Sequence, residues 1–146
     1  MSENATAAAD LKVIVFQLMG KEYAIPVSQV RSIEKVEHIT RVPKAAPFVK
    51  GVINLRGVVT PVIDLRNRFS LPEEEHSENT RVIIAASNDM EVGLVVDAAN
   101  DVLDIPPDAI ESQPEVVGAV GADYISGVAK LEKRLLVLLD LEEVLN

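Results

Sequence analysis

The chain has no cysteine and no tryptophan, and its 146 residues include only two histidines and five aromatic side chains. The absence of cysteine excludes disulfide bonds, thiolate catalysis and the common cysteine-ligated zinc sites, and it fits a reducing compartment. Apolar residues make up 48% of the chain and are mostly Val, Ile, Leu and Ala. This length and composition predict one domain, or two very small ones in close contact, with a real core.

Positive charge is also scarce, since 14 basic residues face 23 acidic ones and give a net charge of −9. A sequence pI near 4.7 disfavours a non-specific nucleic-acid binder and a protein that lies on an anionic membrane. The opening "MSENATAAAD" lacks the basic and apolar regions of a signal peptide. No apolar run approaches the roughly 18 residues that a membrane span needs. These features predict a cytoplasmic protein with no nucleic-acid partner and no direct membrane insertion.

The sequence offers no convincing catalytic or metal-binding set. His76 lies among Glu74, Glu75 and Glu78, but a solvated acidic loop explains that cluster more simply than a metal site. The "GAVG" run at Gly118–Gly121 lacks the Lys-Ser/Thr of a phosphate-binding loop and is better explained as a turn. We therefore expect no enzyme activity, no cofactor and no metal.

An internal repeat is the strongest structural signal in the sequence. "FVKGVINLRGVVTPVIDL" from Phe48 aligns without a gap on "YISGVAKLEKRLLVLLDL" from Tyr124, at an offset of 76 residues. "GKEYAIPVSQVRSI" from Gly20 aligns on "DMEVGLVVDAANDV" from Asp89, at an offset of 69. Two colinear blocks that span most of the chain indicate a duplicated unit.

Each copy has five short runs of β-branched and apolar residues, bounded by Gly, Pro, Asn or Asp, which predict strands. Five strands are too few for a sandwich and suit a small barrel. The predicted fold is all-β, with two five-stranded barrels packed side by side. A short helix ends each copy, and Asp64 and Asp140 are the residues expected to cap the two helix starts. We expect the first barrel at about residues 11–70, the second at about 80–146, and an acidic linker at about 72–79.

The closing hairpin of the first copy carries unusual turn residues. Its turn, Asn54-Leu55-Arg56-Gly57, becomes Lys-Leu-Glu-Lys in the second copy, so only the leucine is common to both. The leucine therefore predicts a packing contact, and Gly57 predicts a positive φ. Arg56 is free either to contact a partner or to form an internal ion pair that braces the seam between the barrels.

Several segments together resemble the CheW family of bacterial chemotaxis adaptors. The segments are "FQLMGKEYAIPVSQVRSIE", "RVPKAAPFVKGVINLRGVVTPVIDLR", "EVGLVVDAANDVLDI" and "RLLVLLDLEEVL". The resemblance covers about residues 11–145 and implies a fold of two SH3-like five-stranded barrels. It also implies an adaptor without enzyme activity, which couples the cytoplasmic tip of methyl-accepting chemotaxis receptors to the histidine kinase CheA. The chain would then be recruited from the cytoplasm to receptor arrays at the membrane.

The resemblance also implies two sets of contact residues. A receptor groove along the seam between the barrels would contain Ile14, Val27, Val30, Ile33, Arg56, Gly57, Val82, Gly93 and Ala99. The kinase contact would use Ile39, Thr40, Val42, Val116 and Val117. An apolar groove suits the apolar stripe of a helix, and an arginine fork at its edge suits a carboxylate or the carbonyls at a helix end.

Two alternatives remain open at the level of sequence. The chain could be a CheW-like scaffold for a different signalling kinase, or a double barrel that binds a small ligand. A ligand site needs polar groups that converge among the apolar ones. Arg56 is the only such group that the sequence offers in the seam.

Overall fold

The computed structural model describes residues 9–36, 38–72, 75–87, 89–111 and 122–145. In these ranges the chain forms eleven strands: β1 Leu11–Leu18, β2 Lys21–Pro26, β3 Val30–Lys35, β4 Val49–Leu55, β5 Val58–Asp64, β6 Arg81–Ser87, β7 Met90–Val96, β8 Ala98–Ile105, β9 Ile110–Glu111, β10 Ile125–Leu131 and β11 Arg134–Leu139. Two short helices, α1 Leu65–Arg68 and α2 Leu141–Leu145, follow the two closing hairpins. The five strands predicted in each copy are present, and β9 is additional.

The strands form two sheets, and the all-β fold predicted from the sequence is confirmed. The first sheet has the order β8-β1-β2-β11-β10-β9, and the second has the order β3-β6-β7-β5-β4. Val13 and Val15 of β1 belong to a cluster inside the first sheet, while Ile14 and Phe16 belong to a central cluster shared by both sheets. This alternation is what a strand with two buried faces requires.

The predicted repeat is present in the strand register. Val13 pairs with Pro26 in the first copy, and their counterparts at an offset of 69, Val82 and Val95, pair in the same way. The closing hairpins match too, because the bulge between Val49 and Gly51 recurs between Ile125 and Gly127. When each strand is replaced by its counterpart in the other copy, the order of the second sheet becomes the order of the first sheet without β9.

The expected division of the chain into barrels at residues 11–70 and 80–146 is wrong for four strands. β1 and β2 join the sheet of the second copy, and β6 and β7 join the sheet of the first copy. Parallel pairing of β2 with β11 and of β5 with β7 completes the exchange. The cause is the short turn Val27–Gln29 after Pro26, which carries the chain from one sheet to the other.

An arginine fork shows that the first sheet is curved. Arg134 of β11 donates through Nε and Nη2 to Glu22 of β2, at 3.0 and 2.8 Å, and through Nη1 to Asp101 of β8, at 3.3 Å. β8 lies three strands from β11 in the sheet order, about 14 Å along a flat sheet. The contact therefore requires curvature. The pKa of the Arg134 guanidinium is raised, mainly by its hydrogen bond to Glu22. Burial acts in the opposite direction and lowers the pKa.

The two closing helices begin as the sequence predicts. The Asp64 carboxylate accepts from the backbone N–H of Arg66, at 3.0 Å, and Asp140 accepts from the N–H of Glu143, at 3.3 Å. These contacts satisfy donors that have no partner inside the helix. Leu141 and Val144 of α2 are buried in the central cluster, so the helix seals one end of the seam between the sheets.

Candidate functional site

The seam between the two sheets carries an apolar strip that is open to solvent along part of its length. Val27, Val30 and Ala99 are partly buried against the central cluster. Ile33 is 42% exposed on β3, and Val102 is 53% exposed on β8. We call Val27, Val30, Ile33, Ala99 and Val102 the seam strip.

A β-bulge in each copy places these residues on one face. Residues three apart on a regular strand point to opposite faces, as Val30 and Ile33 would. The register of β3 against β6 shifts between Val30 and Ser32, which resets the alternation. Val30 then pairs with Ala85, and Ile33 pairs with Ile83, two residues of the central cluster. The register of β1 against β8 has the matching shift between Val15 and Phe16.

Val102 is a member of the seam strip that sequence reasoning missed. It pairs with Ile14, as Ile33 pairs with Ile83, and it is the copy-two counterpart of Ile33 at the offset of 69. The repeat was the signal that could have found it. Applying the offset to every proposed groove residue would have named Val102 beside Ile33.

Three of the expected groove residues are core residues in the structure. Ile14 is 7% exposed and belongs to the central cluster. Val82 is 1% exposed and lies inside the second sheet. A Cβ on Gly93 would lie 2.6 Å from Cγ1 of Val82, so this glycine permits close packing inside the sheet. Ile14 supports the seam strip through its pairing with Val102, whereas Val82 and Gly93 face the cluster inside the second sheet, away from the seam.

Arg56 and Gly57 form the exposed two-residue turn between β4 and β5. Both have positive φ, at 52° and 85°, and the N–H of Gly57 donates to Oδ1 of Asn54 at 2.8 Å. The Arg56 side chain is 74% exposed, and its Nη2 lies 3.6 Å from Oε2 of Glu34 on β3. The packing prediction for the turn leucine is confirmed, because Leu55 packs against the cluster inside the second sheet. The Arg56 pair lies within that sheet and does not cross the seam.

A second apolar surface lies next to this turn and was not predicted from the sequence. Val58 is 60% exposed and Val59 is 66% exposed at the start of β5, and Met90 is 60% exposed at the start of β7. The parallel pairing of β5 with β7 begins at Val62↔Gly93, and Val59 and Met90 each lie three residues before that pair, at the same end of the two strands. Neighbouring exposed apolar side chains mark protein contact surfaces. Val58 and Val59 point to opposite faces of β5, so we call Val59 and Met90 the hairpin patch.

The structure describes three of the expected kinase-contact residues, Ile39, Thr40 and Val42. Thr40 exchanges two backbone hydrogen bonds with Val52 of β4, and Ile39 packs against the cluster inside the second sheet. Val42 is 43% exposed in the connection that follows. Val116 and Val117 lie outside the described residues.

Within the ranges that the structure describes, no group of three or more His, Cys, Asp or Glu side chains could hold a metal ion. In the same ranges, none of the helices has the length and apolar character that crossing a membrane requires.

Comparison with known proteins identifies the family of the chain. Residues 12–146 match the family described as the CheW-like domain. The chain is 54% identical to the chemotaxis protein CheW of Bacillus subtilis (strain 168), over 92% of this chain and 86% of the relative. It is 35% identical to the chemotaxis protein CheW of Klebsiella aerogenes, over 100% of this chain and 88% of the relative.

A solved structure is similar as well. The crystal structure of the scaffolding protein TtCheW from Thermoanaerobacter tengcongensis superposes with a TM-score of 0.84 at 32% identity, over 90% of this chain and 89% of that one. The fold, the repeat and the family match agree, and the chain belongs to the CheW-like domain family.

Proposed function

We propose that this chain is an adaptor without enzyme activity, which couples the cytoplasmic tip of chemoreceptors to the histidine kinase CheA in bacterial chemotaxis. Membership of the CheW-like domain family and the chemotaxis names of its relatives support this function over a ligand-binding barrel or a scaffold for another kind of kinase. The structural observation that carries the proposal is the seam strip. It is a run of apolar side chains that is partly open along the junction of two sheets.

The receptor contact would use the seam strip. A receptor tip is helical, and an apolar helix face binds an apolar groove through side chains spaced by three or four residues. Val30 and Ala99 would form the floor, and the more exposed Ile33 and Val102 would form the two walls. Arg56 would lie at the edge, where its guanidinium would donate to a receptor carboxylate in place of Glu34.

The test of the receptor contact is Val102→Asp, because this side chain is exposed and its replacement leaves the core intact. A charge that must be desolvated in a contact should weaken binding of a receptor-tip fragment by about 2 kcal/mol or more, roughly thirtyfold. Leu135→Asp is the matched control, since Leu135 is similarly exposed (51%) on β11. Calorimetry would measure both variants. Equal binding by Val102→Asp and the wild type would remove the seam strip from the receptor contact.

The kinase contact would use the hairpin patch together with the segment around Ile39, Thr40 and Val42. Both surfaces belong to the second sheet, at the two ends of the β4–β5 hairpin. Val59→Asp and Val42→Asp test the two surfaces separately, because both side chains are exposed. Weaker binding of the CheA regulatory domain by only one variant would assign the contact to that end of the hairpin.

We also propose that the chain acts in the cytoplasm, has no catalytic activity and uses no cofactor. The chain has neither a cysteine nor a recognisable nucleophile-base set, which supports this view. Purified protein should neither hydrolyse nucleotide nor contain stoichiometric metal. Nucleotide turnover by this chain alone would contradict the adaptor function.

A further inference from the structure

Positive charge is concentrated in one part of this acidic chain. Residues 38–63 contain Arg41, Lys44, Lys50 and Arg56 and no Asp or Glu, a net charge of +4. The rest of the chain has ten basic and 23 acidic residues, a net charge of −13. The field near this segment therefore has the opposite sign to the field of the whole protein.

Three of the four basic residues line one open cleft. Arg41, Lys44 and Lys50 lie around a space of about 730 Å³, between the connection that follows β3 and the start of β4. Among the described residues, Asp64 is the only acidic one in its lining, and its carboxylate lies 4.0 Å from Nζ of Lys50. Another oxygen of the same carboxylate already accepts the N–H groups that begin α1. The cleft is therefore net positive.

Two of these cations have no acidic partner. Among the residues that the structure describes, Arg41 and Lys44 form no ion pair and no side-chain hydrogen bond, and both are exposed. Some other exposed cations have a carboxylate within 4.0 Å, such as Arg31 with Glu91 and Lys130 with Glu111, whereas the exposed Lys12 and Lys21 of the first sheet have no such pair among the described residues.

The cleft is fixed before any partner arrives. Thr40 and Val52 exchange two backbone hydrogen bonds of 2.9 and 2.8 Å, and the N–H of Val49 donates to the carbonyl of Ala46 at 2.9 Å. Pro43 and Pro47 restrict the backbone between these anchors. A rigid site loses less conformational entropy on binding than a mobile loop does.

We propose that this cleft binds an acidic peptide segment of the kinase, so that residues 39–50 recognise CheA by charge as well as by apolar contact. The identity of the partner rests on the proposed function, whereas the chemistry of the segment rests on Arg41, Lys44 and Lys50. A few carboxylates on a peptide feel mainly the local field, within a Debye length of about 10 Å at 0.1 M salt. A long polyanion such as a nucleic acid would also meet the repulsion of the −13 remainder.

The test compares two double variants with the same change in net charge. Arg41→Gln/Lys44→Gln removes the two unpaired cations of the cleft, and Lys12→Gln/Lys21→Gln removes two exposed cations of the first sheet. At low ionic strength the cleft variant should associate with the isolated CheA regulatory domain roughly tenfold more slowly than the wild type. The control variant should stay within about twofold, and the difference should vanish near 1 M salt, where the Debye length is about 3 Å.

Two further experiments distinguish between the possible partners of the cleft. A hexaglutamate peptide should compete with the kinase domain for the wild-type chain at low salt, and should compete poorly for the cleft variant. The same variants are titrated with a receptor-tip fragment, whose binding should not change. Thermal melts of all the proteins test whether the variants fold as well as the wild type. If the cleft variant is less stable, the hexaglutamate competition with the wild-type chain tests the proposal by itself.

Several results would overturn the inference while the adaptor function stands. These are equal effects of the two double variants on the kinase, no competition by hexaglutamate, or a loss of receptor binding in place of kinase binding. If the wild-type chain binds no kinase domain at any salt concentration, the proposed function itself fails. That outcome is distinct from kinase binding that is indifferent to the cleft.

Discussion

At the scale of single residues, two glycines lie where another backbone segment closely approaches one of the closing hairpins. A Cβ on Gly51 would lie 2.2 Å from the carbonyl oxygen of Thr40, and a Cβ on Gly127 would lie 2.8 Å from the carbonyl oxygen of Glu111. Both distances are too short for real atoms, and backbone carbonyls cannot rotate away. The repeat predicted that these glycines are equivalent, and the structure explains why a glycine is needed at each position.

Gly51→Ala should destabilise the protein by about 1–3 kcal/mol, because the new methyl group must displace the Thr40 strand segment. Gly127→Ala should cost less, since its approach is longer and the neighbouring Ile110 side chain can move. Urea denaturation of both variants and the wild type would measure the difference. A Gly51→Ala protein as stable as the wild type would contradict the close approach.

Arg56 is the residue whose role most needs a measurement. Its exposed pair with Glu34 contributes little stability, because exposed ion pairs are worth about 0–1 kcal/mol. Arg56→Ala should therefore leave the melting temperature within a few degrees. It should weaken binding of receptor or kinase by about 1.5–3 kcal/mol, roughly ten- to a hundredfold, if a charge-assisted contact is lost.

Arg56→Lys is the companion variant, since it keeps the charge and loses the planar fork. A bidentate contact predicts that lysine restores little of the binding. A large drop in melting temperature with binding unchanged would instead make Arg56 a structural residue.

At the scale of elements, one buried arginine connects segments of both sheets. Arg66 of α1 is 7% exposed, and its Nε donates to Oδ1 of Asp97 at 3.0 Å. The other carboxylate oxygen of Asp97 accepts the N–H of Met19, in the turn between β1 and β2, at 2.9 Å. Nη1 of Arg66 also donates to the carbonyl of Pro72. Asp97 directly precedes β8, so this clamp fixes the strand that carries Ala99 and Val102.

Asp97→Asn should weaken the clamp, because the amide removes the charge and can offer Arg66 only one acceptor oxygen. We expect a loss of about 1.5–3 kcal/mol in the free energy of unfolding, and weaker receptor binding through displacement of β8. Asp101→Asn is the control, since Asp101 lies on the same strand in an exposed pair with Arg134. Equal free energies of unfolding for the two variants would show that the clamp contributes no more stability than the exposed ion pair does.

At the scale of the whole molecule, neither half of the chain contains a complete sheet. β3 pairs only with β6 of the other half, and β1 pairs with β8 as well as with β2. Both parallel pairings, β2 with β11 and β5 with β7, also join the two halves. An isolated half would retain only hairpins, which are marginally stable in water.

Fragments 1–73 and 74–146, made separately, should therefore be largely unfolded and should form the native fold only when mixed. Circular dichroism and size-exclusion chromatography of the single fragments and of their equimolar mixture would test this. A stable native-like fragment 1–73 would contradict the strand exchange. The intact chain serves as the reference for the mixture.

Local patterns in the sequence determined much of this protein. Runs of β-branched residues placed the strands, Asp64 and Asp140 placed the helix starts, and Gly57 marked the positive φ of the turn. The two offsets predicted the register of each hairpin, including the recurring bulge. These features depend on contacts between residues close in the chain, or on a comparison of two segments that obey the same local rules.

The tertiary structure alone decided which strands share a sheet and which apolar residues face solvent. Apolar residues such as Val82 and Val102 look alike in sequence, yet one is 1% exposed and the other 53%. The difference arises because Val82 lies on β6, between β3 and β7, whereas Val102 lies on β8, at the edge of the first sheet. The hairpin patch likewise depends on the pairing of β5 with β7, two strands from different copies. Pairing between distant strands is set by the burial of both sheets at once, which a short stretch of sequence does not encode.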